Sequence, residues 1–140
     1  MIIFDTNTVT HYSYGNEKIR ARIDQISADD VLAVTIITRM EVLQGRFASI
    51  LNAAKEAEIL TAMKRFREAE ALLDSFRVVD LDSTAAQLFE KLRKQKKLQS
   101  VGRPDLLIAC IALANKATLV TRNTKDFKDV TGLRVENWMD

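Results

Sequence analysis

Residues 1–7, Met1-Ile2-Ile3-Phe4-Asp5-Thr6-Asn7, decide how the rest of the chain is read. Ile2-Ile3-Phe4 is an apolar run without the polar alternation of a half-exposed strand, so it reads as a buried strand of a parallel sheet. Asp5-Thr6-Asn7 is an N-cap cluster that ends the strand and opens a helix. The same joint recurs downstream. Val31-Leu32-Ala33-Val34 is a buried strand, Thr35 is a cap, and Ile37, Met40, Leu43 and Phe47 recur at helical spacing. Residues 76–79 form a short strand, after which Asp82 or Ser83 caps a helix through Ala85, Leu88, Phe89 and Leu92. Thr118-Leu119-Val120-Thr121 is a further buried strand, and Leu133-Arg134-Val135-Glu136 is a last, edge strand. A helix over 17–26 places Ile19, Ile23 and Ile26 on one face, and residues 49–75 read as a hairpin of two helices. Pro104 suits a first helical turn. From Asp105 to about Asn115 the helix is so apolar that it must be central. This alternation predicts an α/β fold, with a mostly parallel central sheet flanked by helices on both faces.

Composition narrows the class. With 140 residues and 47% hydrophobic content, the chain makes one domain over residues 1–140 that can bury a substantial core. One proline and four glycines leave little room for linkers. The apolar runs are too short to span a bilayer, and no basic segment precedes a hydrophobic leader, so a soluble cytoplasmic protein without membrane attachment is expected. Cys110 is the only cysteine, which excludes an internal disulfide. Its neighbours Ile108, Ala109, Ile111 and Ala112 make it a buried structural thiol. With His11 as the only histidine, no Ser-His or Cys-His pair with a spare histidine ligand can be built.

A net charge of +2 does not announce a nucleic-acid binder, so local clustering matters more. Asp5, Glu41, Asp105 and the run Thr121-Arg122-Asn123-Thr124-Lys125-Asp126 each fall where a strand ends or a helix begins. In an open α/β sheet such positions converge on a crevice at the carboxyl ends of the strands. Carboxylates gathered there repel one another unless a divalent cation neutralises them. Arg103, Arg122 and Lys125 flank the acids, as an approaching phosphate backbone would require. Taken singly, Asp5 can be a mere helix cap, and Glu41 and Asp105 favourable first-turn acids worth about 0.3–1 kcal/mol each. Their number and placement argue for magnesium- or manganese-dependent phosphodiester chemistry. Tyr12 and Tyr14 can stack on bases or pack against a neighbouring helix, and Trp138 reads as a lid on the core.

These segments resemble the PIN-domain nucleases, and specifically the VapC-type toxins of bacterial toxin–antitoxin pairs. The matching pieces are Phe4-Asp5-Thr6-Asn7, Thr38-Arg39-Met40-Glu41-Val42, Pro104-Asp105-Leu106-Leu107-Ile108-Ala109, the segment from Ala117 through Asn123 with Asp126-Phe127, and the ending Gly132 to Trp138. Their order covers essentially the whole chain. The resemblance implies that Asp5, Glu41 and Asp105 bind Mg2+ (or Mn2+) and are the catalytic acids. The family's fourth acid maps to Asn123, which is neutral, and Asp126 one turn further on can substitute. One tightly held ion, with a second recruited by substrate phosphate, fits that departure. Thr6, Asn7, Thr121 and Asn123 are expected to orient the ligands, and Arg103, Arg122 and Lys125 to hold phosphates.

The implied function is a metal-dependent endoribonuclease toxin that cleaves RNA with an activated water and is inhibited by a cognate antitoxin. Homodimers or hetero-oligomers with the antitoxin are implied as well, with the helical region 49–75 as part of the clasping groove. Two other readings use the same residues: a PIN nuclease of RNA maturation or DNA processing, and a non-catalytic RNA-binding relative. A receiver-type phosphoacceptor domain is disfavoured, because the first strand ends in no tight pair of acids.

Overall fold

The computed structural model describes residues 1–140. Five short strands, β1 (Ile2–Phe4), β2 (Leu32–Thr35), β3 (Arg77–Val79), β4 (Thr118–Val120) and β5 (Arg134–Glu136), form one sheet in the order β3-β2-β1-β4-β5. Every neighbouring pair is parallel, with Ile3 level with Ala33 on one side and Leu119 on the other. Seven helices connect and cover the strands: α1 (Thr6–Ser13), α2 (Glu17–Gln25), α3 (Ile36–Asn52), α4 (Glu56–Asp74), α5 (Ser83–Leu92), α6 (Arg103–Ala114) and α7 (Thr124–Phe127). None is long and apolar enough to cross a membrane.

Because side chains alternate along a strand, β1 feeds two cores. Ile3 joins Ala33, Leu119 and the buried residues of α5 and α6 on one face. Ile2 and Phe4 point the other way, to Val34, Val120, Ile19 of α2 and Leu73 of α4. Sheet faces covered on both sides explain why the strands read as unbroken apolar runs. The chain leaves β1 for β2 on one side, and only later places β4 on the other. A crevice therefore opens beyond the carboxyl ends of β1 and β4, where such sheets seat their ligands.

The caps expected from the sequence form. Asp5, Thr35 and Asp82 each accept a backbone N–H two or three residues into the following helix, and Pro104 lies in the first turn of α6. One boundary differs from the reading. The helical hairpin is not confined to 49–75: its first arm is α3, continuous from Ile36 to Asn52, and its turn is at residues 53–55. Gly45 sits mid-helix on an exposed face and does not break α3.

Candidate active site

Asp5 stands one residue beyond β1, is 5% exposed, and caps α1. Its Oδ1 accepts from the backbone N–H of Thr8 at 2.8 Å and lies 2.6 Å from the Thr8 hydroxyl. That hydroxyl also reaches the Val120 carbonyl at 2.9 Å, so α1, β1 and β4 are tied together at the carboxylate. Oδ2 makes no hydrogen bond within the protein. Since no buried side-chain oxygen lacks a partner, Oδ2 is open to solvent.

Glu41 comes from the second turn of α3. Thr6 donates its hydroxyl proton to Glu41 Oε1 at 2.7 Å, so the Thr38 hydroxyl, 3.0 Å away, is the donor to Thr6. Thr38 is fully buried, and its backbone N–H is held by Thr35 Oγ1 at 3.2 Å. A relay of three threonines thus fixes one carboxylate oxygen of Glu41.

Asp105, half-buried, projects from the first turn of α6. Burial raises its pKa above the ordinary carboxylate value, and the charges of Asp5, Glu41 and Asp126 raise it further. All four predicted acids therefore share one electrostatic environment, although they come from four separate elements. Asp126, on α7, accepts a hydrogen bond from the side-chain amide of Asn123. Asn123 is placed in turn by its backbone N–H donating to Oγ1 of the fully buried Thr121 at 3.1 Å. Asn123 and Asp126, the two candidates for the fourth position, are thus in contact with each other. Asn7 is exposed and orients none of them.

An all-oxygen donor set under mutual repulsion suits a hard divalent cation. No three of the acids converge closely enough to make a ready protein cage.

The predicted cations are placed differently from one another. Arg122 is paired with the carboxylate of Asp140 at 3.2–3.3 Å, and Arg103 lies over the Phe89 ring with 4.9 Å to the centroid. Lys125 is exposed and takes part in none of the four ion pairs of the chain. Tyr12 packs edge-on against Phe4 and Phe76, whereas Tyr14 is 76% exposed. Trp138 is buried against Phe4, as a lid should be. Sequence reasoning missed Thr8 and Thr38. A hydroxyl three residues after a capping Asp, and one three residues after the capping Thr35, was the available signal.

With this geometry in view, the PIN domain family matches residues 2–133. The chain is 29% identical over 139 residues to Ribonuclease VapC1 of Haemophilus influenzae (strain R2866), covering 97% of this chain and 96% of that protein. It is 27% identical over 140 residues to the tRNA(fMet)-specific endonuclease VapC of Salmonella typhimurium, again covering 97% and 96%. The 2.2 Å structure of VapBC-1 from nontypeable Haemophilus influenzae superposes with a TM-score of 0.83 and 27% identity, over 100% of both chains. A parallel sheet that gathers four acids at its carboxyl ends, matched nearly end to end, places the chain in the PIN domain family.

Proposed function

We propose that this protein is a divalent-metal-dependent endoribonuclease acting as the toxin of a toxin–antitoxin pair in the cytoplasm. The observation that carries this reading is the convergence of Asp5, Glu41 and Asp126 on Asp105. Burial raises the Asp105 pKa, and the charges of those three acids raise it further. The family match, and similarity to proteins named as a ribonuclease and a transfer-RNA endonuclease, support RNA as the substrate. Structured RNA with an accessible loop, transfer RNA among them, is the class this reading selects. Similarity to a VapBC structure supports an antitoxin as the inhibitory partner, and assembly as a homodimer or with that antitoxin.

Asp5, Asp105 and Glu41 would hold Mg2+ directly or through its waters, with Asp126 joining through water. A bound cation supplies an acidified water and offsets charge on the phosphoryl oxygens. The protein's part is to hold these carboxylates still. Thr8 fixes Asp5, the Thr38–Thr6 pair fixes Glu41, and Asn123 fixes Asp126, so little reorganisation accompanies reaction. The raised pKa of Asp105 supports it as the carboxylate that accepts a proton from the attacking water. Lys125 is free to meet a phosphate, whereas Arg122 must first leave Asp140. In-line attack by water leaves a 5′-phosphate and a 3′-hydroxyl.

Total cellular RNA incubated with purified, antitoxin-free protein tests the reading, in Mg2+, Mn2+ or EDTA and beside a folded Asp5→Asn variant. Cleavage that needs the ion and is lost in Asp5→Asn is expected. Absence of cleavage with every ion would sink the nuclease reading.

A further inference from the structure

Three hollows join along one side of α3. The first, beside Glu41, is lined by Thr6 and Glu41 and by Tyr14, Gly45 and Arg46 beyond them. The second has a volume of about 500 Å³, shares Tyr14 and Arg46 with the first, and runs on to Arg65 of α4. The third takes over at Arg46 and Arg65 and continues between the facing ends of α3 and α4. Arg46 lines all three, so they lie in a row that leads away from Glu41. The second and third hollows, at about 500 and 530 Å³, both lie in the size range of about 300–1,000 Å³ that holds small organic ligands.

The chemistry along this groove is ordered. Neither Arg46 nor Arg65 enters any of the four ion pairs of the chain, although Glu58 and Glu68 also line its walls. Tyr14 is 76% exposed, while Tyr12, two residues earlier, is packed into the aromatic core. Tyr14 thus leaves an aromatic ring standing in water, beside two uncommitted guanidinium groups. At Gly45 an added Cβ would meet nothing within 4 Å, so the wall between Glu41 and Arg46 is low and open. One site carboxylate (Glu41), then a free aromatic face, then arginines outside any ion pair is an order of groups that suits a single-stranded nucleic acid. The acids serve the scissile phosphate through its cation, the ring stacks on any base, and the arginines hold the following phosphates.

We propose that this groove is a substrate subsite for unpaired RNA, in which Tyr14 stacks on a base flanking the cut and Arg46 and Arg65 hold the adjoining phosphates. The inference rests on the ribonuclease reading and extends it to the strand on one side of the cut.

The test uses the full chain and a fluorescein-labelled, mixed-sequence 12-nucleotide single-stranded RNA. Affinity is read by anisotropy in the Asp5→Asn protein, across a salt series. Cleavage of unlabelled RNA is read in the otherwise wild-type chain. Tyr14→Ala is expected to weaken binding roughly 10-fold with the salt slope unchanged, and Tyr14→Phe to restore it. Arg46→Gln and Arg65→Gln are each expected to reduce the slope of log affinity against log salt by about 0.7. Gly45→Leu adds a helix-favouring side chain at an open wall, so it is expected to fold and yet to block binding.

Unchanged affinity and unchanged salt slope in all of these folded variants would overturn the subsite, even if the wild-type chain cleaves RNA normally. Variants that keep RNA affinity but release a bound antitoxin would overturn it as well, by making the groove a protein-docking surface. Wild-type chain that binds the probe through these residues but never cleaves would leave the subsite standing and remove the nuclease.

Discussion

Helices α6 and α4 show two uses of apolar sequence. In 12 residues α6 buries Leu106, Ile108, Ala109, Cys110, Ile111 and Ala112, whereas α4, with 19 residues, buries only Ala62, Ala69 and Leu73. Ile59, Leu60 and Met63 of α4 stand exposed, as do Met40, Phe47 and Leu51 of α3. Location in the layers explains the difference. One helix lies against the centre of the sheet and is covered by α5, while the other packs mainly against α3 at the sheet's β3 end. The helix that carries Asp105 is thereby held on nearly every side, and rigid support of that kind is what a reactive carboxylate needs. The hairpin instead keeps an apolar face toward solvent, as surfaces that meet partners do.

The sharpest way to break this contrast is at Asp105 itself. Asp105→Asn is expected to lower RNA cleavage by about 100-fold or more, the scale of losing one preorganised electrostatic group. It should not loosen α6. Burial, with the charges of Asp5, Glu41 and Asp126, raises the Asp105 pKa in the folded chain. In the metal-free protein its ionisation therefore opposes folding. That opposition is absent below the ordinary carboxylate pKa, and complete once pH has risen through the raised value. In EDTA at neutral pH the Asn variant should melt above wild type, with the gap closing in acid. A lower melting temperature at neutral pH would refute the repulsion.

Packing supplies the next effect in size. Ile108→Ala on α6 empties a fully buried site and is expected to cost about 2–5 kcal/mol in urea unfolding. Leu60→Ala on α4, a side chain 62% exposed, should stay within about 0.5 kcal/mol. Equal losses at the two positions would mean that the hairpin face is covered in solution.

The smallest expected effect lies in the polar lock on Asp5. Thr8→Val keeps the shape but removes the hydroxyl that lies 2.6 Å from Oδ1. A stability loss of about 1 kcal/mol is expected, since the backbone N–H of Thr8 still caps the carboxylate. Cleavage should fall by more than that loss of stability explains, because Asp5 is then free to turn. Unchanged cleavage by a folded Thr8→Val protein would show that the lock is structural only.

Much of the fold was legible in the chain, and for local reasons. Apolar triplets bounded by Asp5, Thr35 and Asp82 state both where a strand ends and how the next helix begins, since capping is a contact between near neighbours. Placing the acids at those joints followed from the same logic. The hairpin boundary was less legible, because Gly45, Ser49 and Asn52 are weak helix formers, yet α3 runs on through them to Asn52 while packed against α4.

By itself, then, the sequence determined the strand and helix joints, the acids that occupy them and the mostly parallel character of the sheet, because capping, side-chain periodicity and crossover rules act over short range. Only the tertiary structure decided which polar groups meet. Thr8 locks Asp5 to β4, Asn123 serves Asp126, Arg122 is committed to Asp140, and Tyr14 is left outside the core that takes Tyr12. Several of these contacts join residues far apart along the chain. Their partners are chosen by how the layers pack, which no local pattern of residue types encodes.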